Sequence, residues 1–434
     1  AWARVRDIAM VKGGKRLPKG ASFSEEITTH AYIRVTDMKN HSVNISNLRY
    51  ISDEIFSAIK NYTIAKDDLY VTIAGTIGVA GEIPDKLDGM NLTENAVKIT
   101  NIAINKSFLC IILQTDFVQQ QFQDKTHQVA MPKLALERIL STLIPICPSV
   151  QQLQIVDRFQ ICDNFLSTID TEKEELQKIV SLSKSKILDL AIRGKLVLQD
   201  PNDEPASVLL GRIRAEKEEL IKQGKIKRDK KESVIFKGDD NSYYLRTGGV
   251  EESLENWRFD DLPETWEICC LGELCDYGDC INVNTEDIAE DAWILDLEDI
   301  EKDTGMVLKK VTKAQRNSVS TKHKFHSRQV LYSKLRPYLN KVVLSDADGY
   351  CTSEILPLEF KNCVLPEYAR YYLMSSTFIT YANHCSYGVK MPRLGTTDGK
   401  KAIFSLPPLS EQKRIVETID FCFMQLNKIS EALA

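Results

Sequence analysis

The densest group of residues with metal-binding chemistry in this 434-residue chain is a run of cysteines. Four of its 11 cysteines lie within a dozen residues, at Cys269, Cys270, Cys275 and Cys280. Structural zinc sites use two Cys-x2–4-Cys pairs that are well separated along the chain, which this spacing is not. We therefore interpret these cysteines as small apolar core residues on a strand and predict no metal site. The odd cysteine count also favours reduced thiols in the cytoplasm over a disulfide framework.

Other motifs only imitate catalytic ones. The glycine-rich segment 75–81 lacks the Gly-Lys-Ser/Thr of a phosphate-binding loop, which favours a tight turn between strands. Asp398, Glu411 and Lys413 imitate a metal-dependent nuclease core. However, Glu411 follows two prolines at a predicted helix start, where an acid is favoured by the helix dipole and by capping. The Asn/Asp-Pro-Pro-aromatic loop of base methyltransferases is absent, so the sequence predicts a non-catalytic protein.

Charge is unevenly distributed along the chain, although the net charge is only -5. Residues 1–50 hold nine basic and four acidic side chains, and residues 184–231 hold thirteen and eight, so each balance is +5. Residues 239–304 hold three basic and twenty-one acidic side chains, a balance of -18, whereas residues 305–345 hold ten basic and no acidic ones. Because DNA responds to local potential rather than to the average, this pattern indicates a basic face beside an acidic stretch.

An internal repeat indicates how these residues are positioned. Met131-Pro132-Lys133-Leu134 recurs as Met391-Pro392-Arg393-Leu394, a displacement of 260. The same displacement relates Pro148 to Pro408, Gln152 to Gln412 and Ile155-Val156 to Ile415-Val416. The two copies agree at their ends and diverge in their middles. We infer a common docking part and two separately tuned variable parts.

The shared ends predict long helices. Apolar residues at seven-residue spacing form a seam in each copy, and a period near 3.5 is typical of a coiled coil. The first helix, from about Val150 to Ile192, would be on the order of 65 Å long. The two helices are expected to pair, although the same pattern fits the plain core of a helical bundle. The seam residues are Phe159, Cys162, Leu166, Ile169, Leu176, Val180, Ile187, Leu190, Ile419, Cys422, Leu426, Ile429 and Leu433.

Three long motifs carry a resemblance to a known family. The first is LDLAIRGKLV at residues 188–197 together with QDPNDEPA at 199–206. The second is LPPLSEQKRIV at 406–416, and the third is VLYSKLRPYLNKV at 330–342. These motifs resemble the specificity (S) subunits of type I restriction–modification systems, the HsdS family. The first copy keeps only part of the LPPLxEQ run, at residues 144–152.

The resemblance implies an α/β (α+β) fold with two target-recognition domains joined by long helices that form an antiparallel coiled coil. Its expected parts are a first recognition domain at 1–147, a central helical spacer at 148–225, a linker at 226–262, a second recognition domain at 263–407 and a truncated coiled-coil helix at 408–434. It implies no cofactor in this chain, with S-adenosylmethionine, ATP and Mg²⁺ held by partner subunits. The implied partners are double-stranded DNA, two methyltransferase subunits and restriction subunits, in the cytoplasm at the nucleoid and without a membrane.

Each recognition domain is then expected to read one half of a split DNA target. Basic loop residues would hold phosphates while a minority meets base edges. In the first domain we predict contacts from Lys12, Lys15, Arg16, Lys19, Arg34 and Lys39. In the second we predict contacts from Lys322, Lys324, Arg328, Lys334, Arg336, Tyr338 and Lys341, with Lys390 and Arg393 nearby. Two alternatives remain open, a single-chain nuclease or methyltransferase and a sequence-independent coiled-coil adaptor on DNA.

Overall fold

The computed structural model describes residues 1–123, 133–225, 232–240, 242–254, 262–316 and 319–433. The chain divides into two compact units, Ala1–Thr171 and Glu172–Ala434. The predicted α/β (α+β) class is confirmed, since both units combine helices with short, mostly antiparallel sheets. No helix in the described residues has the length and apolar character needed to cross a membrane.

The first unit contains two small sheets with helices packed on them. Its strands are β1 (Trp2–Arg4), β2 (Met10–Gly13), β3 (His30–Ile33), β4 (Met38–Lys39), β5 (Ser42–Val43), β6 (Arg49–Ile51), β7 (Thr63–Ile64), β8 (Leu69–Thr72), β9 (Ala80–Glu82), β10 (Met90–Leu92), β11 (Ala96–Thr100) and β12 (Leu143–Pro145). Its helices are α1 (Val5–Ile8), α2 (Asp53–Ile59), α3 (Lys106–Gln114), α4 (Asp116–Gln123), α5 (Leu136–Leu140) and the start of α6 (Ser149–Ile192).

The order of the strands defines this unit. One sheet has the order β6-β3-β10-β7 with β3 and β10 parallel, and another has the order β2-β11-β8-β9, all antiparallel. The pair β1-β12 brings the start of the unit beside its end. The predicted tight turn of segment 75–81 is confirmed between β8 and β9, where Gly75 and Gly78 adopt positive φ values that favour glycine.

The second unit begins with the end of α6 and contains more elements. Its strands are β13 (Ser233–Lys237), β14 (Tyr243–Thr247), β15 (Val250–Ser253), β16 (Glu267–Cys270), β17 (Ile281–Val283), β18 (Trp293–Leu295), β19 (Val311–Thr312), β20 (Lys322–Phe325), β21 (Val330–Ser333), β22 (Val342–Leu344), β23 (Gly349–Thr352), β24 (Ile355–Leu358) and β25 (Ile403–Leu406). Its helices are α7 (Ala206–Lys222), α8 (Leu271–Leu274), α9 (Pro366–Leu373), α10 (Ser376–Cys385), α11 (Thr396–Lys401) and α12 (Leu409–Ala432).

The second unit repeats the central strand order of the first, with β17 added at the edge of one sheet and no counterpart of β2 in the other. Its sheet β17-β20-β23-β18-β19 holds a parallel pair, β18 with β23, as β3 pairs with β10 in the first unit. Its sheet β22-β21-β24 corresponds to β9-β8-β11, and the pair β16-β25 corresponds to β1-β12. The repeat found in the sequence is therefore a repeat of tertiary structure. Met131 and Pro132 of the first copy lie outside the described residues.

The segment 226–262, predicted to be a linker, is not one throughout. Residues 233–253 form the antiparallel sheet β13-β14-β15. Ile235, Leu245 and Leu254 are buried in one cluster with Ile268 and Ile403 of the second unit. The segment has a hydrophilic composition because the buried apolar residues of its strands alternate with exposed polar ones, and this composition is also typical of a linker. This sheet packs on β16 and β25 of the second unit.

The cysteines take the core positions expected of small apolar residues. Cys269 and Cys270 lie at the end of β16 and are fully buried, as is Cys275 after α8, while Cys280 is half-buried. Burial raises the pKa of the Cys269 and Cys275 thiols well above the usual value, which keeps them protonated at neutral pH.

Candidate nucleic-acid interface

In the first unit, a basic segment after β2 is held against the turn that precedes β11. The backbone N–H of Gly14 donates to the carbonyl of Ala96 (3.1 Å), and that of Lys15 donates to the carbonyl of Leu92 (2.9 Å). A side chain at Gly14 would approach the carbonyl oxygen of Thr93 to 2.0 Å, so this close backbone contact requires glycine. The packing leaves four predicted DNA contacts exposed, namely Lys12, Lys15, Arg16 and Lys19.

Two of these cations also have partners within the chain. Lys15 Nζ lies 5.4 Å from the centre of the Tyr62 ring, and Arg16 Nε binds Glu94 Oε1 at 2.9 Å. The Arg16 side chain is 79% exposed, so this surface pair is weak and can rearrange when a phosphate approaches. The contact nevertheless lowers the pKa of Glu94 and keeps it ionised.

Arg34 has a structural role that the sequence did not indicate. Its Nε and Nη2 bind both oxygens of the Asp37 carboxylate (3.0 and 2.7 Å), and Nη2 also donates to the carbonyl of Asn47. These contacts brace the loop after β3 and engage two of the three guanidinium nitrogens. Lys39, on the short strand β4, is exposed.

Two lysines of the second unit have partners within the chain. Lys322 was predicted to bind DNA but is only 2% exposed, and its Nζ donates to Ser320 Oγ (2.8 Å). The prediction is wrong because this buried ammonium group is not accessible to a phosphate. Lys341 Nζ donates to the carbonyl of Leu297 (2.6 Å), and burial lowers the pKa of this lysine.

Among the described residues, five of the ten basic side chains in the run 305–345 form ion pairs with acids outside that run. Arg316 binds the carboxylates of Asp296 and Asp299, and Lys313 binds Glu290 (3.0 Å). Lys310 likewise pairs with Asp346 at 2.7 Å. The interpretation of a basic face beside an acidic stretch therefore needs correction, because the two stretches fold against each other.

Two further predicted contacts lie in ion pairs. Arg328 binds Glu367 at 2.9 Å, and Arg393 binds both oxygens of Glu354 at 2.7 and 3.0 Å. The Arg393 contact lowers the pKa of Glu354, so this bidentate pair stays charged at neutral pH.

Two of the remaining cations, Lys334 and Arg336, adjoin a loop that is held in an unusual backbone conformation. Arg336 (φ 51) and Asn340 (φ 49) adopt left-handed conformations on either side of a short 3-10 turn. The turn presents Tyr338, which is 50% exposed. Lys324, Lys334 and Arg336 are partly exposed and Lys390 is exposed, and within the described ranges these four have no ion-pair partner.

A hairpin missed by the sequence analysis lies beside this loop. The N–H and carbonyl of Tyr387 bond to the carbonyl and N–H of Arg393 (3.1 and 3.0 Å). The N–H of Arg336 donates to the carbonyl of Pro392 (2.7 Å), which joins the hairpin to the loop. Apolar side chains at the hairpin are exposed, at Tyr387, Val389 and Met391. The only sequence signal was the recurrence of Met-Pro, which we took as a marker of the repeat.

Each helix that follows a variable domain is attached to it by a buried glutamine. Gln152 Nε2 donates to the carbonyl of Cys147 (2.8 Å), and its Oε1 accepts from the N–H of Asn105 (3.0 Å). Gln412 forms the same two bonds with the carbonyl of Pro407 (3.0 Å) and the N–H of Leu365 (2.8 Å). The equivalent residues of the two attachments are Gln152 and Gln412, Cys147 and Pro407, and Asn105 and Leu365, each 260 positions apart. The two units therefore form the same hydrogen bonds at equivalent positions.

A buried carboxylate completes the second attachment. Glu411 is fully buried and accepts hydrogen bonds from Trp266 Nε1 (2.9 Å) and Gln199 Nε2 (2.6 Å). Burial raises the pKa of Glu411. Its partners connect three separate segments of the chain, which gives this acid a structural role rather than the nuclease role considered from the sequence.

Within the second unit, the end of α6 and helix α12 run in opposite directions. Lys184 Nζ donates to Asn427 Oδ1 (2.7 Å), near the end of α12. Ten residues beyond Lys184, Gly194 lies beside Trp266, which in turn binds Glu411 near the start of α12. Residue numbers that rise along α6 therefore face falling numbers along α12, which is the antiparallel arrangement.

The predicted seam is only partly covered. Val180 and Ile419 are buried, Phe159, Ile187, Leu190, Cys422, Leu426 and Leu433 are half-buried, and Cys162, Leu166, Ile169, Leu176 and Ile429 are exposed. A coiled-coil seam along the whole of α6 thus stays a prediction.

Comparisons with known proteins agree with this architecture. A family model described as "Type I restriction modification DNA specificity domain" matches residues 2–179 and 263–432. The chain is 28% identical over 320 residues to the EcoAI type I restriction enzyme specificity subunit of Escherichia coli, covering 70% of this chain and 50% of that protein. It is 29% identical over 276 residues to the EcoDI specificity subunit of the same organism, covering 62% and 53%. The chain thus spans about half the length of these curated relatives.

Solved structures share the fold. The HsdS subunit from Thermoanaerobacter tengcongensis matches all of this chain and 91% of its own, with a TM-score of 0.50 and 16% identity. A chain from a study of complex assembly and conformational transition in the type I R-M system matches with a TM-score of 0.54 and 14% identity, covering 100% and 92%. At these identities the similarity concerns the fold.

Proposed function

Because the chain belongs to the family of type I restriction–modification DNA specificity proteins, we propose that it is the non-catalytic specificity subunit of such a complex. It binds a bipartite target in double-stranded DNA, with one recognition domain on each half. It positions two adenine methyltransferase subunits and, where present, restriction subunits. S-adenosylmethionine, ATP and Mg²⁺ are bound by those partners.

One observation carries the proposal: the two units share a framework but differ in their exposed surfaces. The central strand order and the glutamine attachment are shared by both. In the first unit the exposed cations lie on and directly after β2. In the second, Lys334 and Arg336 adjoin the turn that contains Tyr338, and Lys390 lies in the hairpin closed by Tyr387 and Arg393. A repeated framework with different contact surfaces suits the recognition of two different half-sites at a fixed separation.

The helix between the domains fits the role of a spacer. At 1.5 Å per residue, the 44 residues of α6 give a length of about 66 Å. Two turns of DNA are roughly 70 Å. Such a helix is long enough to separate two readers by one to two DNA turns.

The proposal is tested by mapping methylated adenines in cells that express this chain with its modification partner. We expect two specific half-sites with a fixed gap, and no such methylation when the chain is omitted. A cofactor-dependent methylation or cutting activity of the purified chain alone would support the enzyme alternative. Equal binding of the complex to target and random duplexes at every salt concentration would support the sequence-independent adaptor.

A further inference from the structure

We propose that Val389 and Met391, at the tip of the hairpin closed by Tyr387 and Arg393, form an apolar wedge that enters the base stack of double-stranded DNA. This inference rests on the proposed function and adds a separate action to it. The wedge deforms the duplex at the half-site bound by the second unit, whatever the sequence of that half-site.

The first support is the exposure of the tip. Val389 is fully exposed, and Tyr387 and Met391 are 62% and 45% exposed. Gly388 has a φ of 99, which permits the sharp turn that projects these side chains. Proteins that kink DNA insert apolar side chains of this kind between base steps. Small apolar residues without donors or acceptors suit insertion rather than the reading of base edges.

The second support is the rigid base of the hairpin. Arg393 is fixed by its bidentate pair with Glu354, and Pro392 accepts a hydrogen bond from the Arg336 N–H. The N–H of Leu394 further donates to the carbonyl of Lys334 (3.0 Å). A side chain that separates stacked bases must be held by a rigid backbone, because the stacking energy opposes its insertion. A flexible surface loop would fold its apolar residues back instead.

The third support is charge. Lys390 lies between the two apolar residues, and Lys334 and Arg336 lie at the base of the hairpin. In the part of the chain that the structure describes, none of the three is in an ion pair. The nearby acid Glu354 is neutralised by Arg393. An apolar tip ringed by cations complements a phosphate-lined groove better than it complements a protein surface.

The fourth support comes from the sequence of the repeat. Val389-Lys390-Met391-Pro392 corresponds to Val129-Ala130-Met131-Pro132 at the displacement of 260. Val, Met and Pro recur, while the residue between them and the two residues before them differ. Base reading must differ between two half-sites, so residues kept in both copies suit an action that both halves require. Extrusion of an adenine for methylation is such an action, because the base must leave the stack.

The test uses the complete complex of this chain with its modification subunits. The half-site of the second domain is first identified by methylation mapping. Duplexes are then made with 2-aminopurine at successive positions of that half-site, since its fluorescence rises on unstacking. The variant is V389S/M391S. Its matched control is M306S/L308S, which removes two exposed apolar residues at the same spacing from the same unit.

We expect the wild-type complex and the control to give a fluorescence increase that the V389S/M391S complex loses. Methylation at this half-site should fall by about tenfold, with target sequence and first half-site unaffected. An undiminished fluorescence increase in V389S/M391S would overturn the wedge and leave the proposed function intact. Loss of assembly with the modification subunits, measured by gel filtration, would instead make the tip a protein contact. If even the wild-type complex fails to select a bipartite target, the proposed function itself fails.

Discussion

Buried glutamines connect each recognition domain to the helix that follows it. Gln412 Nε2 donates to the carbonyls of Cys363 and Pro407, and its Oε1 accepts from the N–H of Leu365. All three partners would lose a hydrogen bond if the amide were removed. Unpaired polar groups in the interior are costly, so these contacts contribute more to positioning than an exposed polar contact would.

Gln412→Leu is expected to lower the free energy of unfolding by about 3 kcal/mol, because it leaves buried backbone groups unpaired. Urea unfolding followed by tryptophan fluorescence measures this change. Gln152→Leu should have a similar effect in the first unit. The control is Gln151→Leu, which changes an exposed neighbour and should cost no more than about 0.5 kcal/mol. Equal effects at positions 412 and 151 would contradict the attachment role.

Unpaired cations at the surface should contribute most to DNA affinity. Lys334→Ala should weaken binding of the complex to target and random duplexes alike, and should reduce the slope of log affinity against log salt by about 1. The matched control is Lys310→Ala, since Lys310 already binds both oxygens of Asp346. Titrations at several salt concentrations measure both effects. A larger loss of DNA affinity for Lys310→Ala than for Lys334→Ala would show that the absence of an ion pair does not identify the lysines that contact DNA.

At the scale of elements, helix α6 connects the globular part of the first unit to the second unit along the chain. Its central part carries exposed apolar residues, among them Phe165, Leu166 and Leu176. Its end runs antiparallel to α12 within the second unit, where Lys184 contacts Asn427. A helix with these properties fits both functions proposed for it, as a spacer and as a docking surface for the modification subunits.

Insertion of seven helix-forming residues after Thr171 should lengthen α6 by about 10.5 Å and keep the phase of its apolar seam. At about 3.4 Å per base pair, the gap between the half-sites should grow by about three base pairs. Methylation mapping gives the gap directly. The same number of residues inserted between Gly248 and Gly249, in the turn between β14 and β15, should leave it unchanged. An altered half-site sequence in the α6 variant would refute the spacer role.

At the scale of the whole molecule, two units with the same central strand order carry different surfaces. This division predicts that recognition is modular. Exchange of residues 1–147 for the corresponding domain of another family member should change one half of the target and keep the other half. Methylation mapping of the chimera provides the measurement, with the parent chain beside it. A chimera that alters both halves would contradict independent reading.

The sequence by itself determined the features that depend on local pattern. The helix predicted from about Val150 to Ile192 is found at Ser149–Ile192. The displacement of 260 correctly identified the repeat, down to the glutamine attachments. Helical periodicity depends on residues that are close in sequence, and the repeat appears as a constant displacement between similar residues. Both signals can therefore be detected without knowledge of the fold.

Only the tertiary structure decided which charged side chains are available to a partner. Arg393 pairs with Glu354, 39 residues away, and Arg316 pairs with two acids of a separate stretch. Lys322 is buried in the interior of its unit, and the hydrophilic segment 233–253 becomes a sheet. Ion pairing and burial depend on which distant segments meet, and that information lies in the packing of the whole unit rather than in any local pattern.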